Sequence, residues 1–207
     1  MSVRVAADVA GRDVRLDIDV ADGETVAVVG PNGVGKSTLL LAVAGILGVR
    51  NGDVEIDGKV MSTPRHAVPP HHRRVAYLPQ DPSLFPHLDC LANVAFGLRA
   101  RGASRADSSE RALHMLDAVG MANVARRKPS TLSGGQAQRV ALARALATDP
   151  AVLLFDEPLS SVDAASREGL RDLIAAHAAG RSCLVVSHDD ADVEALTTRV
   201  IRLQRRG

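Results

Sequence analysis

Tryptophan is absent from this 207-residue chain, and one tyrosine with three phenylalanines makes up the whole aromatic content of 2%. The interior must therefore be built from Val, Leu, Ile and Ala. Cysteine is scarce too: Cys90 and Cys183 lie far apart in a chain that lacks an export signal, which argues for reduced thiols and against a disulfide framework. The longest apolar run, Leu39 to Val49, falls short of the ~18–20 residues that span a bilayer. The first residues alternate polar and apolar, which excludes a signal peptide. Excess charge is also missing: the formal net charge is +1, so no nucleic-acid partner is expected. The three His66, His71 and His72 have no carboxylate or Cys spacing around them that would make a metal site. What is present is ordinary folded-protein composition, 46% hydrophobic and 24% charged, at a length suited to one α/β domain with a smaller subdomain.

Val14, Leu16, Ile18 and Val20 alternate with charged residues, the period of a half-buried antiparallel strand. Asp22-Gly23 makes a turn, and Thr25 to Val29 is a short apolar run ending at a glycine-rich loop. Leu39 to Leu47 then reads as an apolar helix. Further strands are expected over 53–57 and 74–79, with a polar loop over 64–72 between them. From about 83 to 130 the strand pattern stops, and helical stretches run over 91–101 and 105–119, parted by Gly102. After Gln136 a helix runs to Ala147, followed by strand 151–155, helix 164–178, strand 182–187, a helix after His188 and strand 199–203. That alternation predicts a mostly parallel sheet covered by helices.

Gly30-Pro31-Asn32-Gly33-Val34-Gly35-Lys36-Ser37 fits G-x-x-x-x-G-K-[ST], with Thr38 following and with a strand before and a helix after it. Such glycines let backbone N–H groups curl around phosphate oxygens, and the helix N-terminus adds its dipole. Lys36 is expected to reach the β- and γ-phosphates and the Ser37 hydroxyl to ligate Mg²⁺. The run Val152-Leu153-Leu154-Phe155 makes a central strand that delivers Asp156 and Glu157 to its C-terminal end, where open α/β sheets bind ligands. Asp156 is expected to hold Mg²⁺ through water. Glu157 is expected to polarise the attacking water as general base, a role worth roughly 10²–10⁴ in rate.

A second glycine segment, Ser133-Gly134-Gly135, opens a helix whose Val140, Leu142, Ala143 and Leu146 form one apolar face. Ser and Gly supply a cap and exposed N–H groups, again an anion site. Those three residues alone read as an ordinary helix cap; the full segment Leu132 to Arg139 is far more specific. A second anion-binding end in a chain that already has one points to an active site shared between two subunits. The expected fold is α/β: a P-loop NTPase (RecA-like) core with a mostly parallel sheet, an N-terminal antiparallel β subdomain and an inserted helical subdomain. We expect one domain over 1–207, its α/β core with the β subdomain over 1–82 and 135–207 and the helical insertion over about 83–134.

Over nearly its whole length the chain resembles the nucleotide-binding subunit of an ABC transporter. Gly30 to Thr38 resembles the Walker A motif, Val152 to Glu157 the Walker B, and Leu132 to Gln136 the ABC signature. By the same resemblance Gln80 is the Q-loop glutamine that senses Mg²⁺ and γ-phosphate. Ser160-Ser161-Val162-Asp163 is the D-loop at the dimer seam, and His188 is the switch histidine that contacts the γ-phosphate. The resemblance implies ATP and Mg²⁺ as ligands. It also implies a head-to-tail dimer with a second copy or a homologous subunit, in which Ser133, Gly134, Gly135, Gln136 and Asp163 of one subunit close over ATP held by residues 30–38 of the other. Mg²⁺ falls to Ser37, Gln80 and Asp156, and catalysis to Lys36, Gln80, Glu157 and His188. ATP holds the dimer closed and hydrolysis opens it. Three positions depart from the family pattern. Residues 1–76 lack the aromatic side chain that usually stacks on adenine, Ser161-Val162 replaces Ala-Leu, and Asp192 stands where glutamate is common.

Asp81 to Leu88 and Asn93 to Leu98 resemble bacterial importers, in which this region receives a coupling helix from integral membrane permease subunits. Leu84, Phe85, Leu88, Leu91 and Phe96 are candidates to line an apolar socket, or else belong to the subdomain core. Pro69 to Arg74 resembles importers of the molybdate, sulfate and polyamine type, and the short strand Val14 to Val20 is most similar to the molybdate branch. The resemblance implies an ATPase on the cytoplasmic side of the membrane, peripheral through the permease, with a solute-binding protein as indirect partner. The chain ends at Gly207, soon after the last strand, so a minimal or truncated subunit without a C-terminal regulatory domain is expected. The alternative is a soluble ABC-type ATPase acting on a non-transport macromolecule. Such chains usually carry two ATPase units or a long coiled-coil insertion, and neither is found in this sequence.

Overall fold

The structure, a computed structural model, describes residues 1–204; the last three positions of the 1–207 span lie outside the described residues. Two units emerge. The first contains Met1–Tyr77, Ala151–Glu157 and the chain from Ala178 onward; the second contains Leu78–Pro150 and Pro158–His177.

In the first unit, β1 (Val3–Val9) and β2 (Arg15–Val20) form an antiparallel hairpin, and the alternation seen in the sequence buries Leu16, Ile18 and Val20. β3 (Thr25–Val29) leads through the glycine loop into α1 (Lys36–Ala44). β4 (Val49–Ile56), β5 (Lys59–Thr63) and β6 (His66–Ala67) complete an antiparallel sheet of order β2-β1-β4-β5-β6. Here the sequence reading was short. The polar residues Asn51 and Gly52 carry no apolar pattern, yet they pair with Asp8 and Ala7 of β1. The loop expected over 64–72 contains β6 and a 3-10 turn, Pro70–His72.

β7 (Val75–Leu78), β8 (Val152–Asp156), β9 (Ser182–Val186) and β10 (Arg199–Arg202) join β3 in the second sheet, of order β10-β3-β9-β8-β7. The β10–β3, β3–β9 and β8–β9 pairs are parallel. β9 occupies the middle of the order, and β8, flanked by β9 and β7, is the interior strand expected from its apolar run. Every residue of β8 and β9 is buried, as in a parallel sheet covered on both faces.

Helix α1 starts at Lys36, three residues before the expected Leu39, because Gly35 at φ 110° turns the chain directly into the helix. It ends at Gly45, whose αL conformation lets its N–H reach the Ala42 carbonyl. Leu39, Leu40, Ala42 and Val43 share one core with Val5, Val54, Val28, Leu154 and Val186, so both sheets grip this helix.

Below its C-terminal end lies Arg73, only 2% exposed. Its Nη1 donates to the carbonyls of Ala42 (3.2 Å) and Val43 (3.1 Å), Nε to Val68 O (2.8 Å), and Nη2 to Met61 O (3.0 Å) and Ser62 Oγ (2.7 Å). A guanidinium fork fits these diverging acceptors, and its charge suits the negative end of the helix dipole.

In the second unit, α2 (Cys90–Ala100), α3 (Arg105–Ala118) and α4 (Gly134–Ala147) pack on one another around Val94, Leu98, Ala112, Leu116 and Leu142. The side chains of Asp89, Ser104 and Ser133 cap their N-termini. α5 (Ala164–Ala178) keeps the expected bounds. Back in the first unit, Asp189 caps the short α6 (Asp190–Leu196).

Arg73→Met should lower unfolding stability by about 3 kcal/mol, because several buried carbonyls lose charged donors at once. Arg73→Lys should recover only part of that, since an ammonium cannot span the same acceptors. Urea denaturation of the three proteins checks the order.

Candidate functional site

The phosphate loop is shaped by backbone geometry. Gly35 has a positive φ, and a Cβ on it would lie 2.6 Å from Cγ1 of Val14, so only glycine lets the β1–β2 turn pack this close. No side chain caps α1. Its first-turn amides therefore face outward at the positive end of the helix dipole. Lys36 Nζ donates to Gly30 O (2.8 Å) and Pro31 O (3.2 Å), spanning the mouth of the loop. Ser37 is exposed beside it, while Val34, Lys36 and Thr38 are buried.

Strand register brings the other groups to the same sheet edge. Val28 pairs with Val186, and Val186 with Asp156. Gly30, Glu157 and His188 accordingly all follow strand ends at one level. The Glu157 N–H donates to Val186 O (2.9 Å), extending the ladder by one residue while Glu157 takes φ 54°, unusual for a side chain of this size. The Glu157 side chain is 12% exposed, and its Oε1 lies 3.5 Å from Nε2 of His188, which is 57% exposed. Burial raises the Glu157 pKa; the His188 charge and backbone N–H oppose it, the adjacent Asp156 carboxylate adds to it, and Lys36 opposes it again.

Asp156 is buried at the end of β8, and the Tyr77 hydroxyl donates to its Oδ2 at 3.4 Å. Burial first, and Asp156 second, push the Tyr77 pKa well up, so this phenol stays a donor. Tyr77 was not among the expected residues. As the chain's one tyrosine, one residue before the end of the strand leading to Gln80, it is a visible but unspecific signal.

In the second unit, Gln80 is exposed two residues after β7. The Ser133 Oγ accepts from Gln136 N (3.2 Å), and Gln136 Oε1 accepts from Ser133 N (3.0 Å), a reciprocal capping box on α4. The S-x-x-Q spacing carried this signal in the sequence. Ser133 and Gln136 are thus used within their own helix, and Gly134 and Gly135 contribute the other first-turn amides. A Cβ on Gly135 would lie 2.6 Å from Ser161 O, so the D-loop packs against this glycine. Asp163 accepts from Ser166 N (3.0 Å) and pairs with Arg139 Nη2 (2.8 Å); Ser166 first, then Arg139, hold its carboxyl below the usual range. Nearby, Phe85 meets Phe96 at 4.6 Å between ring centroids, Arg144 lies over Phe85 at 5.3 Å, and buried Asn93 accepts from Phe85 N and donates to the Phe85, Leu88 and Asp89 carbonyls.

The order of these segments and their geometry agree with what comparison finds. Residues 14–160 match the family described as ABC transporter. The chain belongs to that family.

This ABC cassette is 48% identical over 190 residues to the Fe(3+) ions import ATP-binding protein FbpC of Streptomyces avermitilis, covering 90% of this chain and 53% of the relative. It is 45% identical over 210 residues to the molybdenum import ATP-binding protein ModC of Mycobacterium tuberculosis, covering 98% and 57% respectively. The sn-glycerol-3-phosphate import ATP-binding protein UgpC of Cupriavidus necator is 40% identical over 190 residues, with 91% and 51% covered. The chain thus spans just over half the length of these curated relatives. Among solved structures, a dimeric post-hydrolysis state of the ATP-binding cassette MJ0796 bound to ADP and Pi superposes with a TM-score of 0.89 at 30% identity, covering 99% of this chain and 94% of that one.

The raised pKa of Glu157 has a stability consequence with a definite sign. A carboxyl whose folded pKa exceeds its unfolded value favours folding at low pH, and that contribution is lost as pH rises through the folded pKa. Glu157→Gln should therefore melt above wild type at pH 8, and the gap should close towards pH 5. Differential scanning fluorimetry across that range reads it.

Proposed function

We propose that this cassette is the ATP-hydrolysing subunit of a bacterial ABC importer of a small solute. The observation that carries the reading is the meeting of Lys36, Ser37, Asp156, Glu157 and His188 at one edge of the parallel sheet, beside the uncapped start of α1. The loop amides and Lys36 bind the triphosphate. Glu157 accepts the proton of the attacking water, and His188, within reach of Glu157 and free to move on its exposed side, orients the γ-phosphate end.

Mg²⁺ fits this donor set. Two neighbouring carboxylates, one buried and one nearly so, favour a divalent cation, and a cluster of three or more His, Cys, Asp or Glu that could cage one is not found among the described residues. Ser37, Asp156 and Gln80 would hold it, and phosphate oxygens and water would supply its other ligands. Bound there, it neutralises charge on the phosphate oxygens.

We propose further that two copies, or this chain and a homologue, share the site head to tail. Ser133, Gly134, Gly135, Gln136 and Asp163 would then complete the partner's phosphate cradle. A dimeric ATP-binding cassette of the same fold supports that arrangement. No described helix is long and apolar enough to cross a membrane. Attachment to the cytoplasmic face would therefore come through permease subunits seated at the Phe85–Phe96 surface, with a solute-binding protein as indirect partner. Molybdate or a similar oxyanion is one cargo consistent with the relatives, which are named for import of iron, molybdenum and glycerol phosphate.

Glu157→Gln should retain ATP binding, lose about 10²–10⁴-fold in turnover and run as an ATP-bound dimer on size exclusion with Mg²⁺. A variant that stays monomeric under those conditions counts against the shared site. Ser133→Arg should block turnover while the monomer's ATP affinity stays unchanged; loss of both together would place Ser133 in its own chain's site.

A further inference from the structure

Asp156 ends β8 only 4% exposed, and a carboxylate taken out of water needs donors or a cation. Among the described residues, the side chain that donates to it is Tyr77, whose hydroxyl lies 3.4 Å from Oδ2 although 79 positions separate the two in sequence. We propose that Tyr77 is a positioning residue for the metal end of the site: its hydroxyl holds one oxygen of Asp156 so that the other is presented to the divalent cation. The inference rests on the reading of Asp156 as a Mg²⁺ ligand.

Both partners belong to the first unit. β7, which carries Tyr77, is the neighbour of β8 in the sheet, and the Ala151 N–H donates to Arg74 O (2.8 Å), tying the approaches to the two strands. The Tyr77 ring packs against the core that contains Leu154 and Val186, which locks its rotamer. A phenylalanine would fill that space as well. The hydroxyl is therefore surplus to packing, and its partial burial costs free energy unless it finds an acceptor. At neutral pH a phenol keeps its proton and an ionised carboxylate only accepts, so the direction of the bond is fixed.

The bond engages Oδ2 alone. An unheld carboxylate turns in a broad torsional well and offers either oxygen. Pinned at one oxygen, it keeps the lone pairs of Oδ1 in one place. The 3.4 Å separation is at the long end for an O–H···O bond, so the phenol orients the carboxylate while leaving most of its charge for a cation. Groups that orient a metal ligand from behind typically cost about 10–100-fold in metal affinity when removed. Where water stands between carboxylate and ion, as expected for Asp156, the loss is smaller, about 3- to 10-fold.

Mn²⁺ is the probe, its uptake followed by paramagnetic resonance on the full chain held in excess over the non-hydrolysed analogue β,γ-imido-ATP. Tyr77→Phe should bind Mn²⁺ about 3- to 10-fold more weakly, while its affinity for the analogue in EDTA stays unchanged. Its ATP turnover should need correspondingly more Mg²⁺ for half-maximal rate and approach the wild-type rate once Mg²⁺ saturates. A Mn²⁺ affinity within twofold of wild type, or tighter, overturns the proposal. So does an equal loss of analogue affinity in EDTA, or turnover lowered by the same factor at every Mg²⁺ concentration, since either marks a merely structural tyrosine. Wild-type protein that takes up no Mn²⁺ with the analogue bound removes the metal reading of Asp156, and this proposal with it.

Discussion

The Arg73 guanidinium donates to the carbonyls of Ala42 and Val43 at the point where the α1 dipole is negative. That contact, with Leu39, Leu40 and Val43 locked in a core shared by two sheets, fixes the helix at its far end and along its flank. The near end can then remain without a side-chain cap. Helix termini with unmet amides are normally closed by a neighbouring side chain or by water. Here the rigidity that a cap would lend is provided from below, and the amides stay aimed at a ligand. A donor array already in place has no reorganisation to undergo when negative charge arrives, which is the condition for electrostatic stabilisation at phosphate.

Glu157 shows the opposing demand. The general base proposed here must be ionised, yet burial favours its neutral form. Lys36 and His188 oppose that effect, and Asp156 next to it strengthens it. The residue also takes a positive φ, forced by the hydrogen bond that extends the β8–β9 ladder past Asp156. Strain and desolvation thus meet at one residue that packing alone would not choose, the pattern expected where chemistry and not stability sets the residue. The exposed imidazole of His188 leaves one of the two opposing charges able to move.

Much of this was legible because the informative segments obey short-range rules. Leu16, Ile18 and Val20 declare a strand by alternation, Gly30–Ser37 declares a loop by spacing, and α5 kept its expected bounds because its pattern and its breaks are local. What escaped was fixed by distant partners. Asn51 and Gly52 are strand only because β1 offers a ladder. Arg73 looks like one more charge beside His72 and Arg74, and its burial follows from carbonyls on three other segments. β8 is the interior strand that its apolar run announces, flanked by β9 and β7, because apolar content reports burial on two faces.

The signature segment carries two constraints on the same glycine. Gly135 must stay small for the Ser161 carbonyl to approach it, and its amide belongs to the open first turn of α4. The capping box removes the Ser133 and Gln136 side chains from free rotation, and the Arg139–Asp163 pair ties α4 to the start of α5. Signature and D-loop are therefore joined at two points, one steric and one ionic, within a single unit. A load placed on the α4 amides by a nucleotide would be transmitted to the D-loop through Ser161 backbone and Asp163 carboxylate together. An ordinary helix cap needs neither connection; the head-to-tail site proposed above would use both, presenting the α4 amides to a neighbour's phosphates and coupling their load to the D-loop.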